Sequence, residues 1–144
     1  MKKHTLLLLI AVALASHLCF GTSPVMAEEV SAGGVVTAYY FHGTFRCPTC
    51  KKLEQYAQEA IESNFKEALA SGKLAFRVVN VESKGNEHFA KDYQLYTKSV
   101  ILSLTKDGKE IRSKNLDKIW EYVRNKDRYE NYVRDEVAAF LKEA

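Results

Sequence analysis

The chain has 144 residues, 47% of them hydrophobic, with 21 Lys and Arg against 18 Asp and Glu and a net charge of +3. Such a length fits one compact domain with a modest core and no need of a disulfide framework. So small a charge excess gives no reason to expect nucleic acid as a partner.

The first segment, MKKHTLLLLIAVALASHLCFGTSPVMA, joins two lysines to an unbroken apolar run from Leu6 to Ala15 and ends in small residues around Ala27. Those are the physical parts of a secretory signal peptide. The apolar run is well short of the ~20 residues that cross a bilayer, so the reading is a cleaved leader rather than an anchor. Ser16-His17-Leu18 ahead of Cys19 lacks the small residue that lipoprotein processing requires. Cleavage is expected after Ala27, which makes the protein exported, to the periplasm. Removing these 27 residues, with the leader's two lysines, leaves 117 residues, a net charge of +1, and Cys47 and Cys50 as the only cysteines. An even pair at tight spacing points to one site rather than a scaffold.

Residues 28–34 are expected to be a flexible stretch and 35–144 the domain. VVTAYYFH, Val35 to His42, is apolar, aromatic and β-branched between glycines and predicts a buried strand. From Pro48 the apolar residues Leu53, Tyr56, Ala57, Ala60, Ile61, Phe65 and Leu69 recur at helical spacing, predicting a helix that ends near Ser71-Gly72. Leu74 to Val81 predicts a second buried strand, and Asn86 to Tyr96 a shorter helix. SVILSLT and KEIRS, joined by Asp107-Gly108, predict a hairpin. Helical spacing returns from Leu116 to Leu141, with a bend or break at Arg124 to Arg128 and Trp120 on the apolar stripe. Helical crossovers imply parallel pairing of the first strands, and the hairpin adds an antiparallel one.

FRCPTC, residues 45–50, lies where the first strand gives way to the first long helix. The thiolate is the attacking species, and a free cysteine near pKa ~8.5 is mostly protonated at neutral pH. Unpaired N–H groups and the positive end of the dipole favour an anion at a helix start. Cys47 is therefore the expected nucleophile, with Arg46, Lys51 and Lys52 adding positive charge. Pro48 suits the first helical position. Cys50, one turn further in, is the expected resolving thiol. His42, at the strand end, is a candidate for proton transfer, with a solvated strand-end histidine as the plainer reading. Tyr39, Tyr40, Phe41 and Phe45 read most simply as core and rim aromatics.

This element order, with Cys-Pro-Thr-Cys at the strand–helix junction, resembles the thioredoxin superfamily. The resemblance runs from about Val35 to Leu141 and is carried by YYFHGTFRCPTCKKLEQ and SVILSLTKDGKE. It implies an α/β thioredoxin-like fold: a central mixed sheet of about four strands, helices on both faces and an extended C-terminal helical segment. It also implies a thiol-disulfide oxidoreductase without cofactor or metal, acting as a monomer on protein thiol and disulfide clients and serviced by a membrane redox partner. Client contacts would fall on Arg46, Pro48, Thr49, Ser99 and Val100. Two departures stand out. Phe41 occupies the place of the family's buried acid, and Val100 that of its cis-proline. A cis bond before a residue other than proline costs roughly 3 kcal/mol, so a trans Ser99–Val100 bond is expected.

Three other readings remain at this level. A permanent disulfide is one, although so short a loop removes little entropy from the unfolded chain. A copper or zinc site is the second, needing Cys47, Cys50 and His42 joined by His88. The third is a non-catalytic binding module on the same scaffold.

Overall fold

In the computed structural model, which describes residues 33–144, Val35–His42 forms strand β1. The leader ending at Ala27 and residues 28–32 lie outside the described residues. The period-two alternation of β1 divides its side chains between two faces. Val36, Ala38 and Tyr40 enter the main core, while Tyr39 and Phe41 point to the opposite face.

Helix α1, Pro48–Asn64, is followed by a short α2, Lys66–Ala70. The single helix expected to reach Ser71 is thus divided at Phe65, whose backbone (φ −129°, ψ 36°) leaves the helical region. Gly72 still takes the left-handed conformation, φ 73°, that ends the helical segment. Strand β2, Leu74–Asn80, pairs in parallel with β1. It is an edge strand, and of its residues only Leu74 is buried, which corrects the expectation of a buried strand. The apolar run fits a pleated surface, but a sheet edge leaves Val78 open to solvent.

Helix α3 spans only His88–Asp92, shorter than the expected Asn86 to Tyr96. Strand β3, Ser99–Lys106, and strand β4, Lys109–Asn115, form the hairpin, with Asp107 (φ 51°) and Gly108 (φ 73°) both left-handed in its turn. A short α4, Ile119–Tyr122, precedes α5, Lys126–Leu141. The expected break between them is at Asn125, whose side chain accepts from the Arg128 N–H and caps α5.

The sheet order is β2-β1-β3-β4, with β3 antiparallel to both β1 and β4. Helices α1 and α5 pack together on one face over Val36, Ala38, Tyr40, Val100, Leu102 and Leu104. On the other face, Phe89 and the neighbouring Tyr93 of the α3 segment meet Tyr39 and Phe41 at ring separations of 5.1 to 6.3 Å. The expected mixed sheet with helices on both faces is therefore present. Burial of one strand face under two long helices supplies most of the apolar contact that holds it.

Candidate functional site: a dithiol at the start of α1

Cys47 is the N-cap of α1. Its extended backbone (φ −74°, ψ 163°) turns the chain from the loop into the helix, and its Sγ accepts a hydrogen bond from the Cys50 N–H at 3.2 Å. A cap side chain that accepts from the first helical turn is usually an oxygen; here sulfur fills the role. Pro48 occupies the first helical position, where its missing N–H costs nothing. Cys47 and Cys50 are joined as a disulfide with a Cα–Cα separation of 5.1 Å.

The two sulfurs have unequal surroundings. Cys47 is half-buried, with Pro48 and Thr49 exposed beside it, whereas Cys50 is only 2% exposed. This asymmetry follows from helix geometry, since position 47 precedes the first turn and position 50 faces the sheet beneath it. The Tyr40 hydroxyl donates to the Cys50 carbonyl at 2.6 Å, tying this turn to β1. Tyr129 of α5 does the same to the Leu53 carbonyl at 2.7 Å. Burial pushes the Tyr40 hydroxyl up to about 12, the Arg46 charge opposing it, so Tyr40 stays a donor at neutral pH.

The loop from His42 to Arg46 is braced from two sides. Glu82 accepts the Thr44 N–H at 2.9 Å, a bond that holds its carboxyl below the usual carboxylate range. Asn80 donates to the Thr44 hydroxyl at 3.2 Å. A Cβ at Gly43 would push the Glu82 carboxylate from its place on the Thr44 N–H. The His42 Nδ1 donates to the Gly43 carbonyl at 2.8 Å, which leaves Nε2 facing Arg46 Nη1 at 3.5 Å. That tautomer follows from the carbonyl, which can only accept. Arg46 is also ion-paired with Glu54 of α1. It is a held charge rather than a free one.

Ser99 and Val100 lie in β3, at 4% and 0% exposure. The Val100 side chain belongs to the core under α1 and α5, and its carbonyl accepts from the Leu116 N–H at 2.9 Å. The Ser99 hydroxyl donates to the Thr97 carbonyl at 3.0 Å. No cis peptide bond occurs among the described residues, so the Ser99–Val100 bond is trans, as expected. Trp120 is not a core residue. It is 39% exposed, and its indole N–H donates to the Lys98 carbonyl at 3.0 Å, tying down the approach to β3. The stripe on which it was placed is interrupted by the break before α5, so its helix is too short to turn every apolar residue inward.

His88 is on α3, its Nδ1 3.0 Å from the Gly85 carbonyl and its Nε2 4.0 Å from Asp92. Among the described residues no three His, Cys, Asp or Glu side chains come close enough together to hold a metal ion.

Two neighbours of the site, Tyr40 under Cys50 and Glu54 on Arg46, are not singled out as such by the sequence. Counting from Cys47 places Phe41 where the family has its acid, yet Phe41 faces Phe89 on the far side of the sheet. Tyr40 is the residue beneath Cys50, and the inward alternation of Val36, Ala38 and Tyr40 carried that signal. Glu54 had no such signal, because its pairing with Arg46 depends on how the loop folds back over α1.

No family model matches the sequence, and no curated protein is similar enough to count as a relative. Among solved structures, a thioredoxin from Fasciola hepatica shares 20% identity, covering 65% of this chain and 82% of its own, with a TM-score of 0.39. One from Trypanosoma brucei brucei shares 17%, covering 74% and 79%, with a TM-score of 0.42. A thioredoxin from Thermus thermophilus shares 16%, covering 62% and 72%, at 0.37. With the strand order β2-β1-β3-β4, the strand directions and a Cys-X-X-Cys pair opening α1, the architecture is decided. The fold is thioredoxin-like. Within that fold the pair stands at the carboxyl end of β1, where open α/β sheets commonly place their reactive groups.

Proposed function

We propose that the protein is an exported thiol-disulfide oxidoreductase that exchanges disulfides with protein clients through Cys47 and Cys50. The observation that carries this reading is the inequality of the two sulfurs, one capping a helix at the surface and the other buried a turn below. A permanent structural bond would not need it.

The exchange runs as follows. With the pair reduced, the Cys47 thiolate attacks one sulfur of a client disulfide, forming a mixed disulfide and releasing the other client sulfur as a thiolate. Cys50 then loses its proton and attacks the Cys47 sulfur, closing the internal disulfide and releasing the second client thiol. Two electrons and two protons pass to the client. The same steps in reverse oxidise a client dithiol.

Export rests on the lysines, apolar run and small residues of segment 1–27, and the monomer on the family resemblance. An exported dithiol of this kind is cycled by a redox partner in the membrane. The test is the midpoint potential of Cys47–Cys50 against glutathione. A value above about −300 mV supports a working dithiol, and one far below it makes the bond structural.

A further inference from the structure

Beside the dithiol a groove of about 550 Å³ opens between α1 and the segment that follows β4. Thr49, Lys52 and Tyr56 line one wall, and Trp120, Val123 and Arg124 the other. Thr49 lies between the two cysteines, so the groove begins at the reactive pair. It is an open groove, and its lining joins two cations and two hydroxyls to an indole.

The charges of the groove are of one sign, Lys52 on one wall and Arg124 on the other. Among the described residues, no carboxylate comes within 4.0 Å of Lys52 or Arg124, and none lines the groove. Trp120 is fixed as a wall, because its N–H is engaged by the Lys98 carbonyl. A cation on each wall, beside an indole and two hydroxyls, is complementary to carboxylates on an extended chain.

We propose that this groove receives an acidic segment of the client polypeptide, the stretch that flanks the cysteine attacked by Cys47. The proposal rests on the disulfide-exchange reading, and it adds a selectivity to it. A client whose sulfur sits at Cys47 must lay its neighbouring residues along the protein surface. Glu or Asp there would meet Lys52 and Arg124, and an apolar or aromatic residue between them would meet Trp120. Pairs at an open groove are screened by salt, so the preference should weaken as ionic strength rises.

Trp120 is the only tryptophan in the chain and stands in the groove wall, so its fluorescence reports occupancy directly. Two otherwise identical peptides carrying Ser in place of the reactive cysteine, flanked by Glu-Glu or by Lys-Lys, are titrated against the oxidised protein. The acidic peptide should bind about tenfold tighter than the basic one at low salt, since each exposed ion pair is worth up to about fivefold. The double variant Lys52→Glu, Arg124→Glu should reverse that order. Equal binding of the two peptides, or an order unchanged in the double variant, overturns the proposal.

The exchange reading is checked separately, by reduction of a small neutral disulfide with the reduced protein. Its failure would leave the fluorescence result standing, and success there with indifferent peptides would remove the groove alone. With cysteine-containing peptides, the ratio of the two rates is the quantity compared, because loss of the Lys52 charge also acts on Cys47.

Discussion

The hydroxyl of Tyr40 donates to the carbonyl of Cys50 at 2.6 Å, joining the central strand to the first turn of the helix that carries the dithiol. Tyr40 is wholly buried, so this bond is made away from water and fixes the depth at which Cys50 sits. Tyr40→Phe keeps the ring and removes only the donor. The variant should lose about 1 kcal/mol of stability, a fall in Tm of about 4 °C for a domain of this size. Thermal unfolding followed by circular dichroism checks it, and an unchanged Tm would mean that the bond holds nothing.

The same tyrosine predicts an alkaline limit. In the unfolded chain a tyrosine loses its proton near pH 10, whereas burial lets Tyr40 hold it until about 12. Burial raises Tyr129 as well. Between those values the unfolded state binds fewer protons than the folded one, so stability present below pH 10 is lost as pH rises through the window. Tm measured across that range should bend downward above about pH 10, and Tyr40→Phe should soften the bend. A profile in which the variant bends as steeply as the parent would exclude Tyr40 as a cause.

Unequal exposure of the sulfurs predicts unequal trapping. In Cys50→Ala the mixed disulfide on Cys47 has no resolving thiol, so covalent client adducts should accumulate and disappear on adding a reductant. In Cys47→Ala the remaining thiol, at position 50, is too deeply placed to be reached, and few adducts should form. Non-reducing electrophoresis of the two variants expressed in cells decides it. Similar adduct levels from both would withdraw the roles given to the two cysteines.

Much of this architecture was legible because it rests on local rules. The Asp107-Gly108 turn, the alternation along β1 and the helical spacing after Pro48 each act within a few residues. Features that failed to show depend on what lies across space. Leu74 to Asn80 has the composition of a buried strand, but nothing in its own residues says that no strand will pair on its outer side. Trp120 has helical spacing with Leu116, but a helix of four residues does not present one continuous stripe. The sulfurs could be placed by the helix start alone. Tyr40, which bonds the Cys50 carbonyl, comes from a strand, and Glu54, which pairs with Arg46, from a later turn of α1; only the fold brings them in.

Val100 gives the last prediction. The resemblance to the thioredoxin superfamily puts it in the place of that family's cis-proline, and Val100→Pro would formally restore that residue. The surroundings do not suit it. Val100 lies inside β3, between β1 and the chain leaving β4, with its side chain in the core and its carbonyl bonded to Leu116. A proline in a central strand deletes a backbone donor and fixes φ, and it also removes buried valine methyls. The variant should lose about 3 kcal/mol, lowering Tm by roughly 10 °C. Activity per folded molecule, with the folded fraction taken from circular dichroism, separates this loss from any change in chemistry. A variant as stable as the parent would mean that β3 accepts the family's loop, and that Val100 is a substitution on an otherwise unaltered client-docking strand.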